Sequence, residues 1–131
     1  MHDGSDTLVA LLVEDEWLVR EEIADALRKG GWSVLEAASG ESALTYLRTG
    51  QHIDVVITDI QLAGQLTGWD VAEEFRAARP AIPVVYASGN SHENPRKVQG
   101  SVFFNKPYCT SDLLEACSRL CQAGGRQPEL A

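Results

Sequence analysis

Short apolar runs alternate along this chain with longer amphipathic segments, and no other feature limits its fold as strongly. Residues 8–13 are apolar throughout, and residues 53–58 and 83–87 are nearly so. Runs that are apolar on both faces are typical of the central strands of a parallel sheet, which has helices on each side. The alternation therefore predicts βαβ units. We expect strands at 8–13, 32–38, 53–58, 83–87 and 101–104.

The amphipathic segments carry the start and stop signals of helices. Gly30 and Gly31 follow a run with helical apolar spacing, and Ser39 is a good N-cap residue. Between the fourth and fifth strands, Pro95 and a shortage of apolar anchors predict a short or frayed fourth helix. We expect helices over 16–29, 39–47 and 69–78, the weak one within 90–100, and a last one capped by Thr110 or Ser111.

In a five-stranded sheet built this way, strand one lies between strands two and three, with four and five beyond. The predicted fold is therefore α/β, a flavodoxin-like doubly wound five-stranded parallel sheet of order 2-1-3-4-5 with helices on both faces. One domain is expected over 7–123. An N-terminal extension over 1–6 and a flexible C-terminal tail over 124–131 complete the chain.

Charge and apolar content exclude several classes of partner. The formal net charge of −8 argues against nucleic acid binding. The apolar runs are too short to span a membrane, and the N-terminus lacks the features of a signal peptide, so a cytoplasmic location is expected. Cys109, Cys117 and Cys121 are then reduced thiols. We favour buried thiols over a metal pair for the last two.

Polar side chains stand where the predicted strands end. Glu14 and Asp15 follow strand one, Asp59 follows strand three, Ser88 ends strand four and Lys106 follows strand five. The carboxyl ends of parallel strands form the ligand crevice of such a sheet. Three converging carboxylates require a cation, and hard oxygen ligands suit Mg²⁺. An aspartate can also accept a phosphoryl group, whose charge a metal and a lysine would neutralise.

These residues lie in motifs that together resemble the receiver domains of bacterial response regulators. The resemblance covers about residues 7–122, and its motifs occur in order at strand ends. They are Leu-Val-Glu-Asp-Glu at 12–16, Val-Val-Ile-Thr-Asp-Ile at 55–60, the loop with Gly68, Tyr-Ala-Ser-Gly at 86–89 and Asn-Lys-Pro-Tyr at 105–108.

The resemblance implies a role for each matching residue. Asp59 would be the phosphoacceptor, and Lys106 would form a salt bridge with it. Magnesium would be held by Glu14, Asp15, Asp59 and the backbone carbonyl of Gln61.

A second group of residues would convert phosphorylation into a change of shape. Ser88 would be the switch hydroxyl and Phe103 the aromatic switch, although core packing explains Phe103 equally well. The peptide bond before Pro107 would be cis. The loop after Asp59 departs from the family pattern, because Ala63 replaces a proline and one extra residue precedes Gly68.

The function implied is that of a stand-alone receiver. It would take a phosphoryl group from a sensor histidine kinase or a histidine phosphotransfer protein, and then bind a partner or act as a phosphate sink. It would be no enzyme in its own right, but would assist its own phosphotransfer and dephosphorylation. A weak homodimer and excision from a hybrid kinase stay open. The main alternative is a pseudo-receiver that docks partners without phosphorylation. A phosphatase with an aspartate nucleophile is disfavoured because Gln61 stands where a second acid is usual.

Overall fold

A computed structural model describes residues 7–89 and 95–122. They form a five-stranded, all-parallel sheet in the order β2-β1-β3-β4-β5, as predicted. The predicted extension, the segment 90–94 and the predicted tail lie outside the described residues. The strands are β1 (Val9–Val13), β2 (Ser33–Ala37), β3 (Val55–Thr58), β4 (Val84–Ser88) and β5 (Val102–Asn105).

Four helices in the described residues cover the sheet, and their ends show why the sequence forms them there. The Ser39 hydroxyl accepts a hydrogen bond from the Ser42 amide, and the Ser42 side chain closes a capping box. Thr67 and Asp70 form a second capping box. The last helix instead begins after Cys109, which makes no capping hydrogen bond through its side chain, so the prediction of Thr110 or Ser111 as the cap was wrong. The helices are α1 (Trp17–Lys29), α2 (Gly40–Arg48), α3 (Gly68–Ala78) and α4 (Thr110–Leu120).

The core divides into two apolar layers, one on each face of the sheet. One layer joins the sheet to α2 and α3 and contains Phe75 and Tyr86. The other joins it to α1 and α4 and contains Leu27, Leu113 and Cys117. Helices on both faces explain why the central strands β1, β3 and β4 are buried almost throughout.

The connection between β4 and β5 holds no helix in its described part. Residues 95–100 form turns, so no part of the expected short helix lies there. Arg96 ties the segment to α3 through Asp70 and Glu73, and the Val98 amide donates to the Tyr86 hydroxyl. Side-chain contacts therefore hold a stretch that Pro95 keeps from regular helix.

Exposure separates the tryptophans. Trp32 and Trp69 are buried. Trp17 is 60% exposed and the adjacent Leu18 is 70% exposed, so the first turn of α1 carries two large apolar side chains on the surface. Within residues 7–89 and 95–122, no helix has the length and apolar character needed to cross a membrane.

Candidate functional site

Three carboxylates meet at the carboxyl edge of the sheet. Because β1 and β3 are neighbours in register, the turn after β1 brings Glu14 and Asp15 to the end of β3, where Asp59 follows. One oxygen from each of the three lies within 4.8 Å of the others. Mg²⁺ prefers hard oxygen ligands, and three carboxylate oxygens at this spacing are of that kind.

Lys106 faces two of these carboxylates from the end of β5. Its Nζ lies 3.4 Å from Asp59 Oδ2 and 3.5 Å from Glu14 Oε1. Its backbone amide donates to the carbonyl of Ser88, which fixes the two strand ends relative to each other. Burial lowers the pKa of Lys106, but the charges of Asp59 and Glu14 raise it more, and the net effect is upward. The ammonium group is therefore charged at neutral pH.

The two carboxylate oxygens of Asp59 have different surroundings: backbone amides hold Oδ1, whereas Oδ2 faces Lys106. Oδ1 accepts the Ile60 amide at 2.6 Å and the Gln61 amide at 3.4 Å. Oδ2 points to Lys106. Gly68 packs directly on this turn, because its amide donates to the Ile60 carbonyl at 2.8 Å and a Cβ at Gly68 would lie 2.0 Å from the Asp59 carbonyl oxygen. Only glycine fits there.

Glu14 is only 3% exposed, and this burial governs its protonation. Desolvation raises the pKa of Glu14 from 4.5 to about 7, and the negative charge of Asp59 adds to the rise. The Glu16 amide, which donates to Glu14 Oε2 at 3.0 Å, and Lys106 act in the opposite direction. Glu14 is therefore only partly ionised at neutral pH, and a bound cation would favour its carboxylate form.

The Ser88 hydroxyl is buried without a hydrogen-bond partner among the described residues. Ser88 is 1% exposed and lines the same cavity as the carboxylates. A buried hydroxyl usually finds a partner, so this one fits a site that a polar ligand completes. The cavity is open, holds about 400 Å³ and is lined by Glu14, Asp15, Glu16, Asp59, Gln61, Leu62, Ser88, Gly89 and Lys106.

Phe103 stands apart from the carboxylates, in an aromatic cluster. Its ring lies 6.0 Å from that of Trp69 and 5.9 Å from that of Tyr86, and those two rings are 4.8 Å apart. Phe103 is half-buried against the core. The cluster adjoins the site because Tyr86 precedes Ser88 by two residues on β4.

The strand ends thus bring together Glu14, Asp15, Asp59, Ser88 and Lys106, and Gln61 lies on the cavity wall. The peptide bond before Pro107 is cis, as expected. Sequence analysis missed Arg20, whose guanidinium reaches back to the Glu14 carbonyl. Its position on α1, one turn beyond the acidic residues, is the signal that could have pointed to it.

Comparison with known proteins places this geometry in a family. Residues 10–118 match the family model for the response regulator receiver domain. The probable transcriptional regulatory protein TcrX of Mycobacterium tuberculosis is 30% identical over 116 residues, which cover 86% of this chain and 48% of that protein. The chain thus spans about half the length of this curated relative.

Solved structures show the same architecture. A response regulator receiver protein from Sinorhizobium medicae has a TM-score of 0.85 and 32% identity, with 91% of this chain and 98% of that chain covered. The receiver domain of the Pseudomonas aeruginosa sensor histidine kinase PA1611, solved with magnesium in its active-site cleft, shares the fold at a TM-score of 0.77 and 24% identity, over 88% of this chain and 98% of that one. The match to the family model over most of its length shows that this chain belongs to the response regulator receiver domain family.

Proposed function

We propose that Asp59 accepts a phosphoryl group from the phosphohistidine of a sensor histidine kinase or a histidine phosphotransfer protein. The observation that carries the proposal is the setting of Asp59 Oδ2. This oxygen lies 3.4 Å from Lys106 Nζ in an open cavity. One oxygen of the Asp59 carboxylate also lies within 4.8 Å of one oxygen each of Glu14 and Asp15. The cavity therefore contains an oxygen nucleophile and a lysine ammonium group, with space for a substrate.

The chain's own residues meet the electrostatic needs of the transfer. Asp59 Oδ2 forms the new bond to phosphorus, and the phosphorus–nitrogen bond breaks with its electron pair going to the imidazole. Asp59 Oδ1 stays held by the Ile60 amide, which orients the attack. Lys106 neutralises charge on the moving phosphoryl oxygens. The Ser88 hydroxyl, buried and without a partner among the described residues, donates to one of them.

Glu14, Asp15, Asp59 and the backbone carbonyl of Gln61 would hold Mg²⁺. When bound, the ion shields the carboxylates from one another and neutralises charge on the phosphoryl group. The three carboxylate oxygens within 4.8 Å fit this role. The same machinery, presented to water, would assist dephosphorylation.

Phosphorylation would reach the surface through Ser88 and Phe103. Drawing the Ser88 hydroxyl toward the phosphoryl group frees space near the end of β4. Phe103, half-buried beside Tyr86, is placed to turn inward. A local change of charge would then bias a two-state element around residues 95–105. The phosphorylated protein would bind a protein partner or form a weak homodimer. Alternatively, it would act as a phosphate sink.

The main alternative is a pseudo-receiver that docks partners without phosphorylation. It would keep this fold but have no need for a lysine facing two buried carboxylates or for a buried hydroxyl without a partner among the described residues. Groups of this kind cost stability where they serve no ligand. They favour the phosphoacceptor.

Replacement of Asp59 by Asn tests the proposal. The wild-type protein, incubated with Mg²⁺ and acetyl phosphate, should gain one phosphoryl group by intact mass, and Asp59→Asn should gain none because an amide is a poor nucleophile. Asp25→Asn is the matched control, since Asp25 is an exposed residue of α1. Equal labelling of Asp59→Asn would refute Asp59 as acceptor. No labelling and no Mg²⁺ binding by the wild-type protein would establish the pseudo-receiver.

A further inference from the structure

We propose that Arg20 is a positioning residue that holds the turn after β1 in the conformation that binds Mg²⁺. The inference rests on the metal site proposed above and assigns part of its affinity to a residue outside the cavity. Arg20 lies on α1, is 16% exposed and makes no contact with the Asp59 carboxylate in the described structure.

The Arg20 guanidinium joins the turn to the neighbouring strand. One nitrogen donates to the Glu14 carbonyl at 2.7 Å, and Nε donates to Glu36 Oε1 on β2 at 3.1 Å. The other oxygen of the Glu36 carboxylate accepts from Arg28 at 3.0 Å, in a surface pair whose arginine side chain is 50% exposed. A planar fork of donors can make both bonds at once.

Two other hydrogen bonds also hold the turn after β1, and neither of them involves the Glu14 carbonyl that Arg20 binds. The Glu14 amide donates to the Ala37 carbonyl of β2, and Glu14 Oε2 accepts the Glu16 amide. Arg20 restrains the intervening carbonyl of Glu14, which is the start of the peptide that leads to Asp15. Asp15 is exposed. Its backbone follows directly from the Glu14 carbonyl that Arg20 holds.

Restraint matters here because the carboxylates repel one another. Three of them share a space less than 4.8 Å across, and Lys106 faces only Glu14 and Asp59 among them. Without a tether, the Glu14–Asp15 peptide could rotate to separate the charges, and Mg²⁺ would have to reverse this on binding. Residues that orient metal ligands from outside commonly change affinity by about 10- to 100-fold.

The charge of Arg20 and its role as a tether predict opposite effects on Mg²⁺ affinity, which makes the inference testable. Removing a positive guanidinium near a cation site should tighten Mg²⁺ binding if charge alone matters. Removing a tether should weaken it. Arg28 supplies a matched control, because it pairs with the same Glu36 carboxylate and donates to the Val34 carbonyl, away from the turn.

The experiment is a calorimetric Mg²⁺ titration of the wild-type protein, Arg20→Ala, Arg20→Lys and Arg28→Ala, with thermal unfolding to confirm that each is folded. We expect Arg20→Ala to weaken binding on the order of 10-fold, and Arg20→Lys to weaken it less because an ammonium group cannot hold the carbonyl and Glu36 in one fixed fork. Arg28→Ala should stay within about 2-fold of wild type, as is usual for an exposed ion pair. The phosphorylation rate of Arg20→Ala by acetyl phosphate should recover at saturating Mg²⁺.

Wild-type or tighter Mg²⁺ binding by Arg20→Ala would overturn the inference, and so would a rate that stays low at saturating Mg²⁺. If Arg20→Ala fails to fold, a folded Arg20→Lys with wild-type affinity overturns it. Absence of Mg²⁺ binding by the wild-type protein would refute the proposed function itself, and is thus distinguished from failure of the inference alone.

Discussion

The Ser88 hydroxyl sets up a contrast between stability and function. Since it has no hydrogen-bond partner among the described residues, Ser88→Ala removes a desolvated polar group and should leave the free energy of unfolding unchanged or slightly higher. The same variant should accept a phosphoryl group about 10-fold more slowly or worse, because one donor to the phosphoryl oxygens is lost. Urea denaturation and phosphorylation by acetyl phosphate measure the two effects.

Ser101 provides the control for this variant. Its hydroxyl donates to the Val98 carbonyl at 2.6 Å, so Ser101→Ala should cost about 1 kcal/mol and leave phosphorylation unchanged. A loss of stability in Ser88→Ala equal to that in Ser101→Ala would show that the Ser88 hydroxyl is paired in solution.

Gly68 makes a steric prediction. A Cβ there would lie 2.0 Å from the Asp59 carbonyl oxygen and 2.9 Å from Ile60 Cα, which are backbone atoms that cannot rotate away. Gly68→Ala should therefore lower the free energy of unfolding by roughly 1–3 kcal/mol or more and slow phosphorylation, because the turn carrying Asp59 must move. Chemical denaturation checks the first effect and labelling by acetyl phosphate the second.

Gly30 is the matched control for Gly68. It has a negative φ, and a Cβ there would make only ordinary contacts. Gly30→Ala should change stability by less than about 1 kcal/mol in either direction. Equal destabilisation by the two substitutions would contradict the close approach at Gly68.

The meeting of the candidate site residues at one edge of the sheet could largely be predicted, because they follow strands that are easy to recognise. Asp59 and Lys106 each end an apolar run, and parallel pairing brings such ends together. Contacts that depend on side-chain reach could not be predicted. The bond from Arg20 to the Glu14 carbonyl and the exposure of Trp17 depend on how α1 is rotated about its axis, and apolar spacing fixes that rotation only roughly.

At the scale of the element, the first turn of α1 carries an exposed apolar pair. Trp17 and Leu18 are 60% and 70% exposed, and they directly follow Glu16 on the cavity wall. If Asp59 is phosphorylated by a protein donor, as proposed, we expect the donor to contact this pair, because it lies next to the cavity. Trp17→Ala should lower the rate of transfer from a phosphorylated protein donor by about 10-fold, as is usual when a buried interface aromatic is lost. Its phosphorylation by acetyl phosphate should be unchanged.

Parallel rate measurements with the two donors check this prediction. Leu18→Ala should behave in the same direction, since its side chain lies on the same turn. Equal losses with the protein and the small donor would place Trp17 in the chemistry instead of the contact.

The segment between β4 and β5 shows where reasoning at the scale of elements fails. A short or frayed helix was expected within 90–100, but residues 95–100 form turns, and sequence alone did not reveal what holds them. Arg96 pairs with Asp70 and Glu73, which lie more than twenty positions earlier in the chain. Contacts of this range depend on the finished fold and leave no local pattern.

At the scale of the whole molecule, Glu14 links folding to pH. Its pKa is about 7 in the folded protein, against an ordinary value of 4.5, so the folded state binds this proton more tightly than the unfolded chain. The stabilisation is present below pH 4.5 and is lost as the pH rises toward 7. Thermal unfolding in EDTA should therefore show a melting temperature that falls across this window, and Mg²⁺ should restore stability at the upper end.

Glu14→Gln separates this effect from other titrations. The variant should show a flatter profile between the two pH values, because its side chain does not titrate. Asp70, whose pKa is lowered by the Thr67 amide and by Arg96, acts in the opposite direction at more acidic pH. A wild-type melting temperature that rises steadily from pH 5 to 7 in EDTA would contradict the shift at Glu14.

The fold as a whole could be predicted because a sheet covered on both faces gives a simple pattern in the sequence. β1, β3 and β4 are buried on both faces and appear as continuous apolar runs. β2 and β5, at the edges of the sheet, are less buried, but their predicted limits were wrong by only one residue at each end. The largest error was at β3, which begins two residues later than predicted. Of the predicted caps, Ser39 was confirmed, while that of α4 was wrong, since Cys109 precedes the helix without a capping side chain.

The attachment of residues 95–100 has an evolutionary consequence. Arg96 and Val98 fasten this segment to Asp70, Glu73 and the Tyr86 hydroxyl, while the Asp59 carboxylate is held by its own turn and by Lys106. Substitutions in the segment can therefore accumulate with little cost to the chemistry. After a gene duplication, the two copies could therefore come to bind different partner proteins while the site around Asp59 stayed the same.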